Sequence, residues 1–375
     1  MSGREDLIRA FLKRENWGNA TRAALKGDAS TRRYERLTLG AHTVILMDQP
    51  QEKETSACPP EATPAQRAAL GYNALARLAG ADCHAFAGVA AHLKALGLSA
   101  PEIYAADYAA GLMLIEDLGE ELYAQILSRG ADERALYENA ITALSILHAA
   151  PAPDSFMAGQ RLVPLLDYDD TALLAEADLL LDWFFPAALG HAPSESLREE
   201  YHALWREALL PAHALAPVLV LRDYHAENLL WLKEREAHAR AGMIDFQDGL
   251  RGSPAYDLIS LLEDARRDVA PEFAAAMTAH YVHLARGHNS AFHEEIFRAA
   301  AAALAAQRNV KIVGIFTRLW KRDGKPRYAL YHPRLWRTLE RDLAHPALAR
   351  LKAWFERNVP REKRNSLAKQ AERAA

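Results

Sequence analysis

The sequence predicts an α+β protein of two lobes, a small antiparallel sheet followed by a larger, mainly helical part. Three observations predict it. Short apolar segments separated by Gly or polar punctuation fill the first fifty residues, as consecutive antiparallel strands do. From about residue 120 onward, apolar positions recur at helical spacing. One strand-like pair, LVLRDYHAENLLWL (219–232) with AGMIDF (241–246), interrupts the helices. The lobes divide into 1–117, with an insertion at 51–83, and 118–375.

Taken in order, MSGREDLIRAFLKRENW carries charges every few residues and reads as an amphipathic helix, not a signal peptide. ATRAALKGDAS, RRYERLTLG and HTVILMDQP follow as strands. QEKETSACPPEATPAQ (51–66), with three prolines, is an exposed loop. A helix over 64–79 leads to HAFAGVAAHLKALG, where Phe86, Val89, Ala90, Leu93 and Leu96 recur at helical spacing. GLMLIEDLG (111–119) is a buried strand ending in two acids and a Gly. Helices are then expected at 120–128, 133–149, 170–190, 195–210, 254–267, 271–287 and 291–321.

Composition narrows the function. The chain is half hydrophobic and long enough for one large or two ordinary domains. Its 45 basic and 49 acidic residues give a net charge of −4 with no basic tail, which excludes a nucleic-acid partner. No run of about 18 uninterrupted apolar residues is present, so no membrane span is expected. Cys58 and Cys83 lack ligand-like spacing and are expected to be free thiols. The expectation is a cytoplasmic monomer.

The polar interruptions in 219–232 carry the chemistry. Burying an amide or carboxylate without a partner costs about 2–7 kcal/mol, so Asp223 and Asn228 need partners or a task. They sit at either end of a short loop, and Asp245 lies in the next apolar run. A hairpin with its mouth at one end could gather these three oxygen-bearing side chains. Hard divalent cations such as Mg2+ take such ligands, with substrate phosphates completing the shell. In phosphoryl transfer, an Asp five residues before an Asn orients the attacking hydroxyl, and a later Asp holds the metal.

Asp223 and Asn228 meet the D-x-x-x-x-N spacing, and the Asp of IDF follows 17 residues after Asn228. LRDYHAEN, MIDFQD and GSPAYDLISLL together resemble, in order and spacing, the aminoglycoside phosphotransferase and choline kinase-like group. The resemblance implies a protein-kinase-like two-lobe fold, with a nucleotide-binding N-lobe and a helical C-lobe holding the catalytic loop and substrate pocket. It implies ATP and Mg2+ as cofactors, Asp223 as the group that accepts or orients the hydroxyl proton, and Asn228 and Asp245 as metal ligands. An Asp of ordinary pKa, about 3.9, is a feeble base, so positioning should count for more than proton abstraction. Arg222 stands where that group often has Gly. Asp257 is expected to hold the loop to its helix, and His225 to pack.

In KGDASTRRY, small residues let backbone N–H groups approach phosphate oxygens, although Gly-Asp also makes an ordinary hairpin turn. Gly27, Ser30, Thr31, Arg32 and Arg33 are therefore nucleotide candidates. Kinases of this broad fold carry a Lys on the next strand, where this chain has Met47. Either Arg32 or Arg33 supplies that charge, or magnesium carries more of it. Glu116, Asp117 and Leu118 fall in the segment that resembles the lobe connection, where backbone groups meet the adenine. The two acids alternatively cap a helix starting near Glu120.

GDASTRRYERL, IEDLG, LRDYHAENLLWL and QRNVKIVGIFTRL also resemble the subgroup of bacterial anomeric kinases for N-acetylmuramate and N-acetylglucosamine, which phosphorylate the C1 hydroxyl with ATP in cell-wall recycling. The basic stretch 307–337 suits a neutral or anionic substrate. Arg308, Asn309, Lys311 and Phe316 are its substrate candidates, with Arg308 or Lys311 matched to a lactyl carboxylate. Trp183, Phe184 and Phe316 could stack on a sugar face or simply fill the core. The alternatives are a kinase for another small alcohol (an aminoglycoside, choline or homoserine) and a catalytically weak nucleotide-binding scaffold.

Overall fold

The computed structural model describes residues 2–25, 32–50 and 58–374, which form two compact units. The first comprises Met1–Ala143, Pro153–Leu166 and Ala226–Gly249, and the second Leu144–Ala152, Asp167–His225 and Leu250–Ala375. Among the described residues, no helix is long and apolar enough to cross a membrane.

The first unit is organised by a five-stranded antiparallel sheet in the order β1-β2-β3-β5-β4. The strands are β1 (Thr21–Ala24), β2 (Arg33–Leu39), β3 (His42–Asp48), β4 (Ile103–Asp107) and β5 (Leu112–Glu116). Alternation along β3 and β5 puts Val44, Leu46, Leu112 and Leu114 in one cluster with Leu37. Helix α1 (Ser2–Arg14) buries Ile8, Phe11 and Leu12 in that cluster, the three-and-four spacing of an amphipathic helix. Arg4 fastens it to β3 through an Nε–H bond of 2.9 Å to Asp48 Oδ1.

The expected helix over 64–79 is broken into α2 (Pro64–Leu70) and α3 (Tyr72–Leu75), because Gly71 adopts φ +98°, outside any helix. Helix α4 (Cys83–Ala95) starts at Asp82, whose carboxylate accepts from His84 N–H. The edge strand β4 and the hairpin β6 (Ser155–Phe156–Met157–Ala158) to β7 (Arg161–Pro164) escape the sequence pattern. Both expose part of their apolar side chains, as at Tyr104, Met157 and Leu162, so no clean alternation marks them. A Cβ at Gly88 would lie 2.5 Å from Phe156 Cβ, so α4 needs glycine there to meet the hairpin. Cys58 and Cys83 are buried free thiols, and burial pushes the Cys83 thiol up to about 11.

The run 219–232 is not one strand of one hairpin. It splits into β8 (Val218–Val220), which pairs with β11 (Leu250–Gly252), and β9 (Leu229–Trp231), which pairs with β10 (Ala241–Met243). The polar middle cannot continue a ladder, because Arg222 turns into the left-handed region at φ +70°. Asp245 also lies just past its strand, not within it.

The second unit centres on α11 (Glu294–Lys321), which packs on α7 (Asp170–Leu179), a π-helical continuation (Leu180–Leu189), α8 (Glu195–His213), α9 (Ala255–Leu262) and α12 (His332–Asp342). Neighbours on several sides leave α11 without a single apolar stripe, burying Gln307, Arg308 and Asn309 along with Phe297, Leu304 and Val313. The widened π turns accommodate Pro186, which cannot donate within an α-helix. Helices α12, α13 (Ala349–Asn358), α14 (Arg361–Arg364) and α15 (Ser366–Ala374) lie beyond those expected. Phe184 is a core residue, tilted against Trp336 at 5.1 Å, and Trp183 is half-buried.

Gly314 lets α11 approach the end of α7 closely. A Cβ there would fall 2.3 Å from the Leu179 carbonyl carbon, with backbone that cannot rotate away. Gly314→Ala is expected to destabilise the protein by about 3 kcal/mol, the upper end of overpacking costs, as a fall in the thermal midpoint.

Candidate active site

In the first unit, β9 and β10 pair in a register that sets Leu229 against Met243. Met243 N–H donates to Ser99 O at 2.7 Å, and Trp231 N–H to Glu121 O at 2.8 Å, anchoring the hairpin. One residue further, Ile244 N–H donates to Asn228 O at 3.1 Å. Asn228 is thereby held beside Asp245, and its Nδ2 lies 3.5 Å from Asp245 Oδ2. Asp245 itself has φ +61°, a left-handed conformation that Asp tolerates better than most residues. Its Oδ1 accepts from Gln247 Nε2 at 3.0 Å and from Arg32 at 3.3 Å.

Arg32 is thus turned inward: its side chain is 9 % exposed while that of Asp245 is 45 % exposed. Burial works against the Arg32 charge, but Tyr34, Asp248 and Asp245 outweigh it and hold the guanidinium above its ordinary range. Arg33 is exposed, and Met47 is buried between Tyr34 and Met113 in the sheet register. Gly27, Ser30 and Thr31 lie outside the described residues. Glu116 ends β5, with its carboxylate on Arg235 and its N–H donated to Glu102 O at 2.8 Å. Asp117 accepts from Arg36 Nε at 2.6 Å and from Gly119 N at 3.0 Å. Neither acid caps a helix, since α5 (Tyr123–Ser128) begins at Leu122 without a side-chain cap. Leu118 follows, half-buried.

In the second unit, Asp257 holds the loop that carries Asp223. Its two carboxylate oxygens accept from Leu221 N–H at 2.6 Å and Arg222 N–H at 2.8 Å. Left-handed backbone at Arg222 costs a non-glycine residue about 1–2 kcal/mol. The side chain offsets this: its guanidinium donates to the fully buried Glu176 and lies 5.0 Å from the Tyr168 ring centre. Glu176 also takes Lys311 Nζ at 2.8 Å, Gln307 Nε2 at 3.2 Å and the Tyr168 hydroxyl.

Burial works to raise the pKa of Asp223. The charges of Lys311, His225, Arg222 and Arg308 outweigh it and hold the carboxyl below its usual range. His225 is kept mainly neutral by burial, with Asp264 and Asp223 pulling the other way. Among the substrate candidates, Arg308 is buried with Nη1 3.3 Å from Glu263 O. Lys311 also lies 3.3 Å from the Tyr256 hydroxyl. Asn309 Nδ2 donates to Asp342 Oδ2 at 2.9 Å and Glu263 Oε2 at 3.1 Å. Phe316 packs on Tyr328 at 5.1 Å and under Arg266.

Sequence reasoning missed Glu176, Tyr168, Gln307 and Asp264. Glu176 did leave a signal: it occupies a core position of LLAEADLL, three residues after Leu173. A second buried acid, Asp342, has its pKa raised by burial and then by the negative charge of Glu263. A carboxyl shifted this way favours folding in its protonated form. That contribution is complete below the ordinary value of 3.8 and is lost as pH rises toward the folded pKa. Asp342→Asn keeps the acceptor for Asn309 and adds a donor toward Glu263. It is expected to raise the thermal midpoint at pH 7 by about 2–4 °C, the shift roughly 1 kcal/mol produces, and the gain should vanish in acid.

A five-stranded antiparallel sheet, a helical unit and a D-x-x-x-x-N loop followed by IDF define a protein-kinase-like phosphotransferase. The chain belongs to the phosphotransferase enzyme family, whose family model matches residues 21–290. It is 48 % identical over 363 residues to the N-acetylmuramate/N-acetylglucosamine kinase of Caulobacter vibrioides, covering 97 % of this chain and 99 % of that one. To the N-acetylmuramate/N-acetylglucosamine kinase of Pseudomonas aeruginosa it is 32 % identical, over 90 % of this chain and 89 % of the other. The crystal structure of a choline/ethanolamine kinase family protein from Mesorhizobium loti shares the fold with a TM-score of 0.53 at 16 % identity, covering 94 % of this chain and 98 % of that chain.

Proposed function

We propose that the protein is an ATP-dependent kinase that phosphorylates the anomeric C1 hydroxyl of N-acetylmuramate and N-acetylglucosamine in cytoplasmic recycling of cell-wall sugars. One observation carries the reading: near-full-length identity of 48 % to a kinase named for those two sugars. In the reaction, the C1 oxygen forms a bond to the γ-phosphorus, the β–γ bridging bond breaks, ADP leaves and the hydroxyl proton passes towards Asp223. An anomeric hydroxyl is more acidic than an ordinary alcohol. A carboxylate that is ionised but weakly basic therefore suffices to orient it.

Asn228 and Asp245 fit a magnesium ion. They place an amide and a part-exposed carboxylate side by side, the hard oxygen donors this cation takes, and leave the rest of its shell to phosphate and water. When bound, the ion supplies positive charge to the phosphates. Arg32, beside Asp245, supplies the fixed positive charge that Met47 cannot. The main chain of Glu116 to Leu118 takes the adenine edge.

For the lactyl carboxylate of N-acetylmuramate, Arg308 is the better candidate, because the Lys311 ammonium is already committed to Glu176. The test is ADP release with N-acetylmuramate, N-acetylglucosamine, choline, homoserine and kanamycin as acceptors. Turnover is expected with the two amino sugars. Arg308→Ala should raise KM more for N-acetylmuramate than for N-acetylglucosamine. Absence of turnover with both sugars overturns the reading.

A further inference from the structure

In the first unit, the three residues that follow Asp245 are each held from a different side. Phe246 is buried and stacks on Phe86 of α4, with ring centres 4.9 Å apart and planes 21° apart. Asp248 Oδ1 accepts from Ala79 N–H at 2.6 Å, which ties the turn to the inserted segment. Gly249 N–H closes the turn on Phe246 O at 3.1 Å. Between the two anchors lies Gln247, 5 % exposed, whose Nε2 donates to Asp245 Oδ1 at 3.0 Å. The place of this amide is therefore set by contacts that Gln247 does not itself make.

That place is chemically one-sided. An ionised carboxylate only accepts, so the amide must turn its nitrogen to Asp245. Its oxygen, Oε1, is then left buried with no hydrogen-bond partner among the described residues. An orphaned buried acceptor opposes folding, and a methionine of similar length would fill the space without one. The side chain makes sense if the bond at Nε2 serves the carboxylate and not the fold. Asp245 is part exposed, and a carboxylate in that position changes rotamer readily unless something bonds it. Its two oxygens also have different surroundings. Oδ1 meets Gln247 and Arg32, whereas Oδ2 lies on the Asn228 side, 3.5 Å from Nδ2.

We infer that Gln247 is a positioning residue for the metal-binding Asp245: it holds Oδ1 so that Oδ2 faces Asn228, and the anchors on Phe246 and Asp248 keep the amide in place. The inference rests on the reading of Asn228 and Asp245 as magnesium ligands.

The experiment titrates Mn2+ into the full-length, nucleotide-free protein, follows the loss of the free-ion EPR signal, and compares the parent with Gln247→Met, Asp245→Asn and the double variant. Thermal unfolding and the Mg2+ midpoint of ADP release are read alongside. Gln247→Met should raise the Mn2+ midpoint about tenfold or more, the effect of losing an outer hold on a metal ligand, and move the Mg2+ midpoint in the same direction. KM for the amino sugar should change little. The thermal midpoint should hold or rise, since the orphaned oxygen is gone. In the Asp245→Asn background the same substitution should add less than about twofold, because groups in contact that act as one unit are not additive. If Gln247→Met does not fold, Gln247→Leu also lacks the donor and takes its place with the same expectations.

An unmoved Mn2+ midpoint in Gln247→Met, with that of Asp245→Asn raised, overturns the inference. A rise of full size in the Asp245→Asn background does so too, because Gln247 then acts elsewhere. A raised Mn2+ midpoint that comes with a fallen thermal midpoint assigns the amide to stability and likewise overturns it. An unmoved midpoint in Asp245→Asn itself overturns the metal reading of that residue, and this variant tells the two failures apart.

Discussion

Replacing Asp223 with Asn is expected to lower kcat about 10²–10⁴-fold, the usual range for losing a positioned acid–base group. The substitution preserves the side chain's shape and removes its charge. The loop should survive it, because its backbone is held by Asp257 and its Arg222 arm by Glu176. KM for ATP should change little. The charges of Lys311, His225, Arg222 and Arg308 outweigh burial and favour the ionised Asp223 in the fold, so removing that charge should lower the thermal midpoint at neutral pH. Coupled ADP release, a nucleotide titration and thermal unfolding read these three effects. Retention of more than about a tenth of kcat would remove Asp223 from the proton-accepting role, since such groups contribute far more.

Replacing Asp245 with Asn is expected to weaken the magnesium requirement's midpoint by about tenfold or more and to lower kcat/KM by about 10²-fold, consistent with the several kcal/mol that a metal's charge contributes. Asn is the informative choice. At φ +61° most residues would strain the backbone, whereas Asn tolerates the left-handed region nearly as well as Asp. Gln247 and Arg32 both donate to Asp245 Oδ1, so an amide there loses charge complementarity with Arg32 while its fold partner Ile244 keeps its bond to Asn228. Titrating turnover against Mg2+ at fixed ATP separates a lost ligand from a lost fold. An unaltered magnesium midpoint would take Asp245 out of the metal site.

The parts of the site legible in the sequence are those whose chemistry is written locally. Asp223 and Asn228 stand out because polar residues interrupt an apolar run, and Asp245 because an acid follows Met243 and Ile244. Helices such as Glu133–Ala149 and Pro271–His288 are legible from their periodicity, and their ends fall within a residue of expectation. The edge strand Ile103–Asp107 is not, since Ala105 and Ala106 bring neither β-branching nor alternation. The strand pairing around the loop is illegible for another reason: Leu, Val and Trp state that a strand is buried without stating its partner, and β8 and β9 chose different ones.

By itself, the amino-acid order determined the α+β class, the polar set at 223, 228 and 245, and the absence of a lysine at Met47. Those properties reside in residue identity and short-range spacing, which act before any long-range contact forms. Only the tertiary structure decided that Arg32 turns inward to Asp245 while Arg33 faces solvent. It likewise decided that Lys311 is spent on Glu176, 135 positions away in the chain, instead of being left for substrate. Long side chains have many rotamers, and which one is populated depends on where a distant helix delivers an opposite charge and on the burial that makes leaving it unpaired so costly.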